Sequence, residues 1–515
     1  MNTYPSRHRL PSNQHSPSGC VLGAPPCPAP DDSNGEVFPG RSKKHHMNAT
    51  DAISRAQAVR TTDPQETKAA VRFLDRLFAR KNLSKVSIRL WNGKSWPNAE
   101  SRAATIVLRH PYALRRMFGA GTEMALAEAY VRDDFDIEGD MESAFEIADV
   151  LANATGWRES IALALLLRRL PKSVRREADY RASLDRSRPR HSLKRDQRAI
   201  AFHYDVSNSF YRLWLDRQML YSCAYFEDAD NDLESAQEAK LDYLCHKLRL
   251  KVGQEVLDVG CGWGGFAVYA AERYGVTVTG VTLSREQAAF AAERAALAGL
   301  SGRVTIRCQD YRAIEKDRHF DAVVSVGMSE HVGTQNLSGY FGTIWDLLRP
   351  GGVFLNHAIG EGCSYRPSRG PSFIDEYVFP DSDIPPIESV LASAASAGFE
   401  VRDVENLREH YALTLRHWVR RLESNHDEAL AVVNESTYRV WRLYMAGSAH
   451  GFDQGRLAIY QALLAKTDEK GCSHLPLTRR DWYPSKSLED GAIPTVEPWH
   501  DWTRKPCNDS LTIDF

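Results

Sequence analysis

The stretch Glu255-Val256-Leu257-Asp258-Val259-Gly260-Cys261-Gly262-Trp263-Gly264-Gly265 sets an acid near the end of an apolar run, then four glycines within six residues, then a helical pattern from Phe266. A helix N-terminus reached through a turn without side chains lets a ligand lie against backbone amides. The turn satisfies two fingerprints. Gly260, Gly262 and Gly265 fit the G-x-G-x-x-G of dinucleotide sites. Gly260, Gly262 and Gly264 fit the G-x-G-x-G turn of S-adenosylmethionine (SAM) sites. A plain tight turn would also use glycine. An NAD site wants an acid about 20 residues after the first glycine, for the ribose. Gly280-Val281-Thr282-Leu283-Ser284 stands there instead, which counts against NAD. Beyond the next strand comes Gln309-Asp310-Tyr311-Arg312. A carboxylate at that place can accept from an adenine amino group while an aromatic neighbour covers the ring, and a helix cap is the lesser alternative for Asp310.

Alternating strands and helices must position these residues. Residues 276–281 are β-branched and read as a strand. Ser284-Arg285-Glu286-Gln287 is a capping box that opens a helix closing at Gly299. Strands are expected at 304–308 and 320–326. A helix from about 340 to 348 should stop at Arg349-Pro350-Gly351-Gly352, before a fifth strand at 353–356. Ahead of the glycine turn, Asn231 with Glu234 signals a helix N-cap, and Leu241, Leu244, Cys245 and Leu248 share one helical face. The order predicts an α/β fold, Rossmann-like and doubly wound, with a mainly parallel sheet and ligands at the carboxyl ends of its strands. A small α+β domain at 63–165 precedes it. Residues 1–62, rich in Pro, Ser, Asn and Gly, read as a disordered tail. Residues 166–198 read as a basic linker, 199–470 as the α/β domain, and 471–515 as a C-terminal tail.

Bulk properties narrow the function. A hydrophobic share of 43% over 515 residues is ordinary for globular chains, and a net charge of −2 leaves no nucleic-acid footprint. Nine cysteines without a C-x-x-C pair argue against a disulfide framework or a metal site and suit a reducing cytosol. No apolar run reaches the roughly 20 residues of a membrane span, and no h-region follows Met1. Arg168 to Arg198 holds twelve Lys/Arg against four Asp/Glu. It reads as a solvated linker helix or as a contact for an anionic membrane surface, where each basic residue adds about 1 kcal/mol. A nucleic-acid arm is disfavoured, because no aromatic residues interleave.

The glycine turn, Tyr221-Ser222-Cys223-Ala224-Tyr225-Phe226, Thr282-Leu283-Ser284-Arg285-Glu286-Gln287, Gln309-Asp310-Tyr311-Arg312, Ser325-Val326-Gly327-Met328-Ser329-Glu330-His331-Val332-Gly333, His357-Ala358-Ile359-Gly360 and Tyr411-Ala412-Leu413-Thr414-Leu415-Arg416-His417-Trp418 occur together. Jointly they resemble the cyclopropane-fatty-acyl-phospholipid synthase and mycolic acid cyclopropane synthase family, over about residues 84–465. Ala127-Glu128-Ala129-Tyr130 and Ile137-Glu138-Gly139-Asp140 extend the likeness into the small first domain and favour the phospholipid synthase branch.

The resemblance implies a SAM-dependent methyltransferase domain at 199–470 that delivers a methylene from SAM to the cis double bond of an acyl chain. SAM would be bound by Tyr221, Ser222, Asp258, Gly260, Cys261, Gly262, Trp263, Gly264, Gly265, Thr282, Leu283, Ser284, Gln287, Asp310, Tyr311 and Arg312. A bicarbonate ion would act as base in a cradle of Cys223, Glu330, His357, Ile359 and Tyr411. In that cradle, backbone amides near Cys223 and Ile359, together with Tyr411 and His357, would donate to the anion. Glu330 would accept the bicarbonate hydroxyl. The substrate would be unsaturated phospholipid, approached from the cytoplasm at the inner face of the membrane, with anionic lipid favoured. No nucleic acid is implied, and a homodimer is allowed. Taken singly, Cys223, His357 and Tyr411 are more often core residues, and His331 reads as packing. One departure stands out: many relatives carry a cysteine where this chain has Ser448. Methyl branching of the acyl chain, small-molecule N-methylation and a non-catalytic lipid-binding role remain as alternatives.

Overall fold

A computed structural model describes residues 63–172 and 207–483, apart from short gaps at 79–82, 98–101, 121, 153–156, 316, 366–371 and 381. The tail at 1–62, most of the basic linker, Phe202-His203-Tyr204-Asp205 and residues 484–515 lie outside the described residues.

The first layer is a four-stranded sheet in the order β2-β1-β3-β4, built from β1 (Val86–Arg89), β2 (Ser95–Trp96), β3 (Ala104–Leu108) and β4 (Phe135–Gly139). Its helices are α1 (Pro64–Leu77), α2 (Ala113–Phe118), α3 (Glu123–Val131), α4 (Glu146–Ala152) and α5 (Trp157–Leu167). Strand β3 alternates buried and half-buried residues, as a sheet covered on one face requires.

The short helix α6 (Asn208–Tyr211) and the long α7 (Leu233–Leu248) lead into the second sheet. Asp232, not Asn231, caps α7: its carboxylate accepts from Ser235 N at 2.7 Å. Asn231 is turned back into the preceding loop, where its Oδ1 accepts from Asp228 N. From there the chain runs β5 (Glu255–Val259), α8 (Gly265–Tyr274), β6 (Thr277–Thr282), α9 (Arg285–Leu297), β7 (Val304–Cys308), β8 (Phe320–Val326), α10 (Leu337–Leu347) and β9 (Leu348–Glu361). It closes with α11 (Phe373–Tyr377), α12 (Ile387–Ser396), β10 (Glu400–Asn406), α13 (Arg408–Ser424), α14 (His426–Val432), α15 (Glu435–Asp453) and β11 (Leu457–Ala465).

The seven strands lie in the order β10-β11-β9-β8-β5-β6-β7. Pairs from β9 to β7 are parallel, and β11 runs antiparallel to both neighbours. The fold is therefore α/β with a mainly parallel sheet. The fifth strand of the α/β alternation is far longer than four residues. Arg349-Pro350-Gly351-Gly352 belongs to it, because Gly351 N and Gly352 O continue the ladder to Lys466 while Arg349 pairs with Glu255 and Asp321.

The described residues all belong to one compact unit. One apolar cluster runs from Phe73 of α1 and Ile106 of β3 through Trp214 and Trp418 to Phe452. Buried arginines of α15 tie the parts together: Arg439 donates to the Tyr130 and Phe135 carbonyls, and Arg442 donates to the Tyr130 hydroxyl. No helix among the described residues is long and apolar enough to cross a membrane.

Candidate active site

The sheet order reverses at β5. The chain moves outward through β6 and β7, then returns to β8 on the other side, so the carboxyl ends of β5 and β8 open a crevice. Gly260, Gly262 and Gly264 turn the chain there, with φ of +82°, +52° and +77°. A side chain in that region costs roughly 1–2 kcal/mol. Gly265 is already helical. Its own Cβ would stand 2.5 Å from Leu220, so its small size serves packing of the first helical turn.

Around this turn lies a solvent-open cleft with about 1280 Å³ of empty space, mouth included. Fourteen of the sixteen sequence-expected cofactor residues line it: Tyr221, Ser222, Asp258, Gly260, Cys261, Gly262, Trp263, Gly265, Thr282, Leu283, Gln287, Asp310, Tyr311 and Arg312. Gly264 and Ser284 stand behind the wall. Ser284 caps α9 by accepting from Gln287 N at 3.2 Å. The Gln287 side chain does not complete the capping box, because its Oε1 accepts from the Thr282 hydroxyl. Of the two expected roles for Asp310, the structure shows the cap. Asp310 lines the cleft, and it caps the short turn after β7, accepting from Arg312 N at 2.9 Å and from the Arg312 guanidinium at 2.8 and 2.7 Å.

The cleft floor holds a charged cluster. Lys240 of α7 is buried and donates to Ser222 Oγ at 2.8 Å, while Gln237 donates to the Ser222 carbonyl at 2.9 Å. Asp258 Oδ2 is buried without a partner. Burial pushes the Asp258 carboxyl up and the Lys240 ammonium down, and each charge partly restores the other. A buried cation beside an unpartnered buried acceptor suits a zwitterionic ligand.

The expected cradle residues lie outside the cleft lining. Strand β9 outruns β8, whose last paired residue, Val326, faces His357. The Ile359 amide beyond it has no β8 partner, and Glu330, on the turn after β8, fills that place: its Oε1 accepts from Ile359 N at 2.7 Å. The expectation that this amide would donate to an external anion is thus corrected, because it holds Glu330 instead. Glu330 Oε2 and His357 Nε2 are buried and have no partner. Burial raises the Glu330 carboxyl to about 7. Burial, with Lys240 and Lys247 nearby, holds the His357 imidazole well below its usual value, so it is neutral. Cys223 is fully buried. Its thiol points to the Ala224 and Leu407 carbonyls, and burial raises it, so it stays protonated and is no nucleophile. The neighbouring Ala224 amide donates to Thr414 Oγ1. Tyr411 packs against Trp418 and Phe452, and His331 lines the cleft against Phe379.

A family model described as mycolic acid cyclopropane synthetase matches residues 191–462. The chain belongs to this family of SAM-dependent methyltransferases. A second model, a domain of unknown function, matches residues 73–156. A probable fatty acid methyltransferase of Pseudomonas putida is 41% identical over 77% of this chain and 95% of its own. The cyclopropane-fatty-acyl-phospholipid synthase of Escherichia coli K12 is 40% identical over 52% of this chain and 68% of its own. A solved mycolic acid cyclopropane synthase complexed with SAH and CTAB is 34% identical, covers 52% of this chain and 97% of its own, and superposes with a TM-score of 0.49.

For a methyltransferase of this family, sequence reading overlooked several neighbours of the site. Lys240 and Lys247 share a helical face with Leu244, at i−4 and i+3, so two charges on an apolar face were the available signal. Trp441 and Tyr444 of α15 join Tyr221 and Trp418 in one aromatic cluster, with ring centroids 5.3–6.1 Å apart along the chain of contacts. Their i, i+3 spacing resembled ordinary core.

Proposed function

We propose that this chain transfers the SAM methyl group to the cis double bond of an unsaturated acyl chain in a membrane phospholipid, and that loss of a proton then closes a cyclopropane ring. One observation carries the reading: Glu330 Oε2, on the turn after β8, and His357 Nε2, on β9, are buried polar atoms without partners near the cleft expected to hold the cofactor. Unsatisfied buried groups cost about 1–3 kcal/mol each, so a site that keeps two of them is built for a polar ligand. An amine substrate would give them no task.

The residues fit both implied groups. SAM would lie in the cleft, with its amino-acid end between Asp258 and Lys240 and its adenine towards Asp310 and Tyr311. A bicarbonate ion would meet an acceptor or acid at Glu330 and a donor at His357. When bound, SAM supplies an electrophilic methyl group and bicarbonate a base. The protein supplies alignment and dryness, because an alkene is a weak nucleophile and a lipid cation is destroyed by water. Tyr221, Trp418, Trp441 and Tyr444 offer the aromatic faces that stabilise positive charge. Glu330, pinned through Oε1 by the Ile359 amide, keeps Oε2 in place for proton movement.

Methyl branching without ring closure is the second reading. It is favoured by the Pseudomonas putida relative, named a probable fatty acid methyltransferase and matched over nearly its whole length. The basic stretch from Arg168 to Arg198 supports docking at an anionic inner membrane face, and Ile161 and Leu165, 52% and 54% exposed one helical turn apart, precede it. The test is incubation with methyl-labelled SAM and vesicles of unsaturated phospholipid. Label in the lipid with high-field ring methylene signals is expected. Methyl signals on a saturated carbon would select branching, and label only in water-soluble product would overturn both.

A further inference from the structure

We infer that Gln461 and Lys247 are positioning residues that lock His357 as the neutral tautomer protonated on Nε2, so that His357 donates into the cradle and is not the base. The inference rests on His357 being part of that cradle. Gln461 of β11 pairs directly with His357 of β9 across the antiparallel ladder. Lys247 of α7 reaches the same point and donates to Gln461 Oε1 at 2.8 Å. An ammonium has only hydrogens to give, so the Gln461 oxygen must face Lys247. The amide nitrogen therefore faces His357 Nδ1, at 3.0 Å. That nitrogen also has only hydrogens to give, so Nδ1 must accept. A neutral imidazole that accepts at Nδ1 carries its proton on Nε2, the atom that is buried without a partner.

The far end of the relay is anchored. Lys247 also pairs with Glu405 and lies 4.5 Å from the Tyr243 ring centroid and 5.3 Å from that of Trp482. Tyr243 donates to Glu405 at 2.9 Å. Charging His357 would turn a second donor towards the Gln461 amide and add a cation beside Lys247 and Lys240, in agreement with its depressed basicity. Nε2 cannot take up a substrate proton because it already holds one, and Nδ1 is occupied. The proton removed from substrate must pass to another acceptor.

The direct test is long-range nitrogen–proton NMR of the full chain labelled with ¹⁵N-histidine, with His357 assigned by its loss in His357→Gln. A neutral ring protonated at Nε2 is expected, and a wild-type ring protonated at Nδ1 overturns the inference whatever any variant does. Gln461→Glu replaces the donor facing Nδ1 with an acceptor. It is expected to move a proton to Nδ1 and to lower kcat roughly 10–100-fold, as loss of orienting partners does at other histidines, with KM for SAM within about twofold. An unchanged tautomer and an unchanged kcat in that variant would also overturn it. If His357→Gln kept full turnover, the cradle reading would fail, while the wild-type spectrum would still decide the tautomer.

Discussion

The cleft that opens at Gly260 and the buried residues proposed as a cradle around Glu330 are built in opposite ways. The cleft is made from turns and strand ends, with left-handed glycines that bring backbone close to a ligand and side chains drawn from four short motifs. The proposed cradle draws on side chains from separate elements: Glu330 after β8, His357 on β9 and Tyr411 on α13. The cleft is open, whereas Glu330 and His357 are buried with unpartnered polar atoms. A site made of backbone is sensitive to an added Cβ and tolerant of many other changes. A site made of buried side chains is sensitive to the loss of a single oxygen.

Variants can break this contrast or sharpen it. Tyr411→Phe removes only a hydroxyl and is expected to lower turnover roughly 10²-fold, the usual cost of one preorganised donor, while calorimetry finds SAM binding nearly unchanged. A loss of SAM affinity of similar size would merge the two regions into one. Gly264→Val works from the other side. Its φ of +77° and a Cβ 2.8 Å from Ala291 are expected to weaken SAM binding by about tenfold or more, since 1.4 kcal/mol is a factor of ten. Unaltered affinity would mean that the turn does not carry the ligand.

A smaller effect concerns pH. Glu330 is raised by burial from 4.5 to about 7, so the folded chain binds more protons than the unfolded chain between those values. The stabilisation is fully present below 4.5 and is lost as pH rises through about 7. Glu330→Gln should therefore show a flatter fall of Tm between pH 5 and 7 than wild type, with the slope due to Asp258 left in place. Parallel curves would show that Glu330 ionises as an ordinary carboxylate. The smallest effect is expected at Ser448, which is buried on α15. Ser448→Ala should leave turnover within about twofold, because methyl transfer to an alkene needs no covalent enzyme intermediate. A large loss would call for a nucleophile at that position.

The same contrast explains what was legible in the sequence. The central parallel strands β5, β6 and β8 show as apolar runs buried on both faces, and the glycine turn shows because few residues other than glycine adopt those φ values. Boundaries were less legible. Asp232 and Asn231 are both good caps, and only the fold decides which carboxylate or amide meets the first free amide. Strand β9 absorbed a Pro-Gly-Gly segment because β11 offered it ladder partners more than 100 residues later in the chain. The engagement of the Ile359 amide by Glu330 was illegible for a like reason: it follows from β9 outrunning β8, which no local pattern encodes. Lys240, Lys247 and Gln461 were passed over because each looks ordinary in its own helix or strand and gains meaning only through partners on other elements.

The division of labour between the two regions is tested most directly by one variant measured in two ways. Glu330→Ala should bind SAM in calorimetry within about threefold of wild type, yet transfer labelled methyl groups to phospholipid vesicles at least roughly 10²-fold more slowly. Equal loss of binding and turnover would contradict the assignment of Glu330 to the proton-removing half of the reaction.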